Sequence, residues 1–74
     1  MDWHITFYNN KVEQATLSFP PGILANFFHI AEMIEEFGPA LGLPYTRALG
    51  EGLFERRAKG KEGIGRSFFY PLKS

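Results

Sequence analysis

Between Gly50 and Tyr70 the chain reads GEGLFERRAKGKEGIGRSFFY, and its chemistry lies in the spacing of Arg57, Lys59 and Arg66. Two short runs of mixed apolar and basic residues flank Gly60-Lys61-Glu62-Gly63. Glycine supplies the backbone conformations of tight reversals, so two strands joined by a turn are predicted. Side chains alternate across a strand. Leu53, Glu55, Arg57 and Lys59 therefore share one face of the first strand, and Phe54, Arg56 and Ala58 the other. In the second strand Ile64, Arg66, Phe68 and Tyr70 lie opposite Gly65, Ser67 and Phe69. One hairpin face thus gathers Arg57, Lys59 and Arg66, with Lys61 at its tip. The guanidinium fork matches phosphate geometry, and such a face could neutralise charge that develops on a phosphate during cleavage. RNA brings its own nucleophile, the 2′-OH. A metal-free nuclease then needs to align that hydroxyl, remove its proton, neutralise the phosphorane and protonate the leaving oxygen. Arginine suits neutralisation but, with a pKa above about 12, not proton transfer. No residue is an evident proton donor of the right acidity, and the same cations equally describe a solvated hairpin face.

Other chemistries find no support. The glycines at 50 and 52, and at 60, 63 and 65, form neither a dinucleotide fingerprint nor a phosphate loop. Glu35 and Glu36 are adjacent on a predicted helix and point apart. No Ser–His–Asp set stands out. With no cysteine and only His4 and His29, neither a disulfide nor a zinc site is expected, and no cofactor is implied. His4 falls on the polar side of a strand and His29 on the solvent side of a helix.

The elements that must carry the hairpin can be read from periodicity. The 74 residues allow one domain, and a chain of this size buries only about 60% of its unfolded surface. Trp3-His4-Ile5-Thr6-Phe7-Tyr8 alternates as a half-buried strand with Trp3, Ile5 and Phe7 inward. Asn9-Asn10 stops it and offers a helix N-cap. Residues 11–17 read as a short helix with Val12, Ala15 and Leu17 turned inward. Pro20-Pro21 restarts the chain at a helix N-terminus. The apolar series Ile23, Phe27, Ile30, Ile34, Phe37 then defines a longer helix, widened by Leu24, Phe28 and Ala31. Gly38-Pro39 ends it. Residues 40–49 read as a connection, and Pro71 as the break that ends the second hairpin strand. The expected class is α+β: a strand, a two-helix hairpin, then an antiparallel β-hairpin forming a small sheet.

Net charge is zero, yet residues 1–43 carry −4 and residues 44–74 carry +4. A basic half built on strands suits a polyanion. No signal peptide is visible at the N-terminus. The apolar stretch 23–37 is interrupted by Asn26, His29 and three glutamates, which excludes a membrane span. A cytoplasmic location is the default expectation.

The opening WHITFYN, the helix ending in EEFGPALGLP, and LGEGLFERRAKGKEGIGR follow in order across most of the chain. Together they resemble the RelE/ParE superfamily of bacterial toxins, and most nearly its HigB-like, phage-derived branch. The resemblance implies a type II toxin that cleaves messenger RNA on the ribosome and is silenced by an antitoxin, expected to be of the helix-turn-helix type. It assigns Arg57 and Arg66 as catalytic phosphate-binding residues, with Lys59, Lys61 and Arg47 as RNA-binding residues. Three departures stand out. Glu55 replaces a lysine of the best-studied relatives. Arg56 occupies a core-facing position that relatives fill with an aliphatic residue, where it must snorkel or find a partner. The chain also lacks the further strand and lysine-rich tail of such toxins, and so resembles a truncated one. An inactive truncated toxin that retains antitoxin binding, or self-associates through an exposed sheet edge, is the alternative. A ParE-like gyrase inhibitor is a further one.

Overall fold

A computed structural model describes residues 2–73. Strand β1 (Trp3–Phe7) leads into helices α1 (Asn10–Leu17) and α2 (Pro21–Phe37), followed by strands β2 (Thr46–Gly50), β3 (Leu53–Gly60) and β4 (Gly63–Lys73). All neighbouring strands are antiparallel, in the order β1-β4-β3-β2. Both helices cover one face of the sheet. The class is the expected α+β fold, small and RelE-like.

The hairpin β3–β4 sits in the middle of the sheet, and its faces divide as alternation requires. Ala58, Gly65, Ser67 and Phe69 are buried beneath the helices, whereas Lys59, Ile64 and Arg66 are exposed on the open face. The core consists of Ile23, Phe27, Ile30 and Ile34 of α2 packed on Ala58 and Phe69. Four of the five residues of the predicted α2 stripe are buried. The fifth, Phe37, is 72% exposed, because the helix terminates at the sheet's margin, where Gly38 N–H bonds the Ile34 carbonyl at 2.8 Å.

Close approach fixes α2 on the hairpin. A Cβ at Gly65 would stand 2.9 Å from Ile23 Cγ2, and one at Gly60 would stand 2.6 Å from the Ile23 nitrogen. Glycine at both positions lets the first turn of α2 rest on the strands themselves. The turn residue Glu62 reinforces the contact by accepting the Gly22 N–H at 3.1 Å, a favourable place for a carboxylate near a helix N-terminus.

Three expectations need correction. In α1 the inward residues are Val12 and Thr16, whereas Ala15 and Leu17 are exposed. The Asn9 cap is as expected, its Oδ1 accepting the Val12 N–H at 2.9 Å. What rolls the helix is polar. The Thr16 hydroxyl donates to the Val12 carbonyl at 2.7 Å, and Ser67 Oγ lies 2.7 Å from it, so both buried hydroxyls are satisfied. Second, the connection 40–49 contains a strand, β2. Only Thr46 of Thr46-Arg47-Ala48-Leu49-Gly50 is buried, and Ala48 and Gly50 flank a bulge, so no alternation announces it. Thr46 Oγ1 donates to the Pro39 carbonyl at 2.8 Å and accepts the Gly42 N–H at 3.0 Å, which anchors the preceding loop.

Third, Pro71 does not end β4. The strand runs on to Lys73, with Pro71 opposite Ile5. Tyr8 N–H bonds the Phe68 carbonyl at 3.1 Å, so the alternation of the ladder turns the Pro71 nitrogen away from β1. It faces the side that β3, whose register with β4 stops at Phe54↔Phe69, no longer covers. No ladder bond is lost there. The free edges of the sheet are consequently those of β1 and β2.

Candidate functional site

Arg57 and Arg66 stand directly opposite one another on β3 and β4, on the face that the helices leave open. Directly opposed residues hold their Cβ atoms about 4.5–5.5 Å apart. Among the described residues no hydrogen bond or ion pair engages either guanidinium. Opposed like charges are destabilising in a sheet, and an anion placed between them would offset that repulsion. The row extends to Tyr45, whose carbonyl accepts the Arg57 N–H at 2.9 Å just before β2 begins.

Lys59 lies opposite Ile64 on the same face and is exposed, and Lys61 is exposed at the turn. Arg47 is exposed on β2 and lies opposite Glu55, which in turn faces Phe68. All five basic residues singled out from the sequence therefore lie on the open face or its tip. Glu55, flanked by Arg47 and Phe68, is only 8% exposed although it lies on this face. Its position on β3 is two residues from Arg57, about 7 Å along the strand.

Arg56 belongs to the core. It is 4% exposed, and its guanidinium carbon lies 5.3 Å from the ring centres of Phe7 and Phe27 and 5.6 Å from that of Phe69. Among the described residues no anionic partner meets it, and Nε is buried without a hydrogen bond. Desolvation lowers its pKa from the ordinary arginine value to about 10, which leaves it protonated at neutral pH. Its partner is thus a set of aromatic faces.

A groove of about 320 Å³ opens beside Arg57, lined by Asn26, Pro44, Tyr45, Arg57, Lys59 and Ile64. It exists because β2 starts at Thr46 and leaves the outer edge of β3 uncovered beyond Arg57. The Lys59 N–H, which would otherwise lack a partner, donates instead to Asn26 Oδ1 of α2 at 2.8 Å. Asn26 and Tyr45 carried no sequence signal of their own, since one sits on a helix and the other in a segment without periodicity.

The histidines lie apart from this site. His4 is exposed on β1 opposite Leu72, far along β4 from Arg66. His29 is exposed on α2, in the other layer. Among the described residues no three His, Cys, Asp or Glu side chains cluster so as to hold a metal ion. No helix of the described residues is long and apolar enough to cross a membrane.

A model of the family described as Phage derived protein Gp49-like (DUF891) matches residues 15–72. The chain belongs to that family. The match spans α2, β2, β3 and all but the last residue of β4, and so includes Arg57, Arg66 and every residue lining the groove. The Gp49-like family is RelE/ParE-like, in agreement with the resemblance read from the ordered motifs. Neither the curated proteins nor the solved structures provide a significant match.

Proposed function

We propose that this Gp49-like protein is the toxin of a type II toxin–antitoxin pair and cleaves messenger RNA bound on the ribosome. The observation that carries this reading is the Arg57–Arg66 pair, opposed across two strands with no acidic side chain among the described residues bonded to either. Two forks facing one another hold a phosphodiester and stabilise the charge it gains in the transition state. Lys59, Lys61 and Arg47 extend the basic track on either side, supplying sequence-independent backbone contacts. A neighbouring antitoxin is the partner that the family implies.

The chemistry requires no bound cofactor. The 2′-oxygen attacks the adjacent phosphorus, the bond to the 5′-oxygen of the next nucleotide breaks, and a 2′,3′-cyclic phosphate forms. Glu55 is the carboxylate next to Arg57 on this face, and it takes the proton of the 2′-OH. Water protonates the departing 5′-oxygen, since no imidazole lies near the arginine pair. That same lack of an imidazole favours a second reading, in which the protein binds its antitoxin and RNA without cleaving.

Messenger RNA on translating ribosomes separates the two. Cleavage by the wild-type chain that disappears in Arg66→Ala supports the nuclease. Intact messenger RNA with wild-type protein, at concentrations that saturate ribosome binding, refutes cleavage and leaves the second reading.

A further inference from the structure

The groove beside Arg57 combines features that a phosphate-binding face alone does not require. Its walls are an aromatic ring, Tyr45, a proline and the exposed Ile64, and its cations are Arg57 and Lys59. The Asn26 side chain is oriented by its bond to Lys59 N–H, which commits its carbonyl oxygen. The amide NH₂ is then the polar group that Asn26 can offer to a ligand. A flat apolar surface, two hydrogen-bond donors and adjacent cations together describe complementarity to a nucleoside phosphate.

The geometry points to this groove as a base-binding subsite for single-stranded RNA. It holds the base of the nucleotide whose phosphate lies on Arg57. The base stacks on Tyr45, an apolar edge rests on Pro44 and Ile64, and an acceptor atom of the base receives the Asn26 amide. Arg57 belongs both to the groove and to the Arg57–Arg66 pair, so occupying the groove sets which phosphodiester reaches the pair. Asn26 thereby favours bases with an acceptor on the edge that enters. This inference rests on the RNA-cleaving reading, and its test separates the two.

Fluorescence anisotropy with a short 5′-labelled single-stranded oligoribonucleotide, and with an abasic ribose-phosphate oligomer of equal length, gives the readout. Wild type, Tyr45→Ala, Tyr45→Phe and Arg66→Ala are compared, each checked for native folding by circular dichroism. Stacking on one aromatic ring predicts that Tyr45→Ala weakens oligoribonucleotide binding about tenfold. Tyr45→Phe should bind as wild type, and the abasic oligomer should be indifferent to both changes. Equal affinity for wild type and Tyr45→Ala, with loss only in Arg66→Ala, overturns the subsite while leaving the basic face intact. In parallel, adenosine and guanosine 5′-monophosphate are titrated while the Asn26 side-chain amide and Tyr45 are followed by NMR. Shifts there without any oligomer binding keep the groove as a nucleotide site and remove the RNA reading. Neither shifts nor oligomer binding overturns the subsite, and cleavage on translating ribosomes then decides the RNA-cleaving reading by itself. An acidic decapeptide that binds with the same Tyr45 dependence also overturns it, since the groove would then select charge on a chain rather than a base.

Discussion

Arg56→Met should raise the stability of this protein, even though the arginine touches three aromatic rings. The depression of its pKa from the ordinary arginine value to about 10 converts, at 1.36 kcal/mol per unit, into about 3 kcal/mol of unfavourable charge burial. The Nε without a hydrogen bond is one local expression of that desolvation. Against it stand the contacts with Phe7, Phe27 and Phe69, which together offset about 1–2 kcal/mol. Methionine is similarly long, flexible and able to pack on rings, so little packing is lost. A net gain of about 1–2 kcal/mol follows, and for a domain of this size each kcal/mol moves Tm by about 4–8 °C. The direction with pH also follows. A cation whose folded pKa lies below its unfolded value destabilises the fold fully below the folded pKa. The penalty fades as pH rises from about 10 towards the ordinary arginine value, so the advantage of methionine should shrink over that interval. Thermal and urea unfolding followed by circular dichroism at neutral pH measure the difference directly. A variant destabilised by more than about 1 kcal/mol would refute the reasoning, showing that cation–ring attraction exceeds desolvation at this site.

Arg66→Ala should weaken binding of single-stranded RNA and lower the slope of log K against log salt by about 0.7, the loss of one phosphate contact; anisotropy at several salt concentrations checks both. Its stability should be unchanged or slightly higher, since an opposed like charge is removed, and urea unfolding reads that. Glu55→Gln should leave RNA affinity within a factor of about two while slowing ribosomal messenger RNA cleavage about 100-fold or more, the usual contribution of a general base. Undiminished cleavage would exclude Glu55 from proton transfer. Thr16→Val leaves the Ser67 hydroxyl without its partner and should cost about 1–3 kcal/mol. Adding Ser67→Ala should recover part of that loss, and a double-mutant cycle in urea shows whether the two are coupled.

The parts of the site legible in the sequence are those fixed by local period. Alternation alone put Arg57 and Arg66 on one face, and the turn glycines aligned the strands so that the two meet. The α2 stripe was equally plain from Ile23 to Ile34, where burial follows the helical repeat, and it failed at Phe37 because the repeat says nothing about where the sheet stops. Arg56 was recognisable as a charge at a core position, while its solution, three phenylalanines from three different elements, depends on tertiary packing. The groove was hidden for the same reason. Asn26 matters because α2 passes the uncovered edge of β3, and Tyr45 because β2 begins one residue after it. In α1, hydrophobicity pointed to Ala15 and Leu17, but a hydroxyl pair between Thr16 and Ser67, remote in sequence, decided which side turned inward.

The strand order joins the earliest and latest segments described: Trp3 pairs with Lys73 and Phe7 with Phe69. A chain synthesised from its N-terminus holds β1 without a hydrogen-bonding neighbour until residues 69–73 have emerged. Closing this outermost ladder therefore carries the longest loop in the molecule, and such non-local pairing is slow to form. Maturation of the protein is thereby tied to the emergence of β4 from the machinery that makes it.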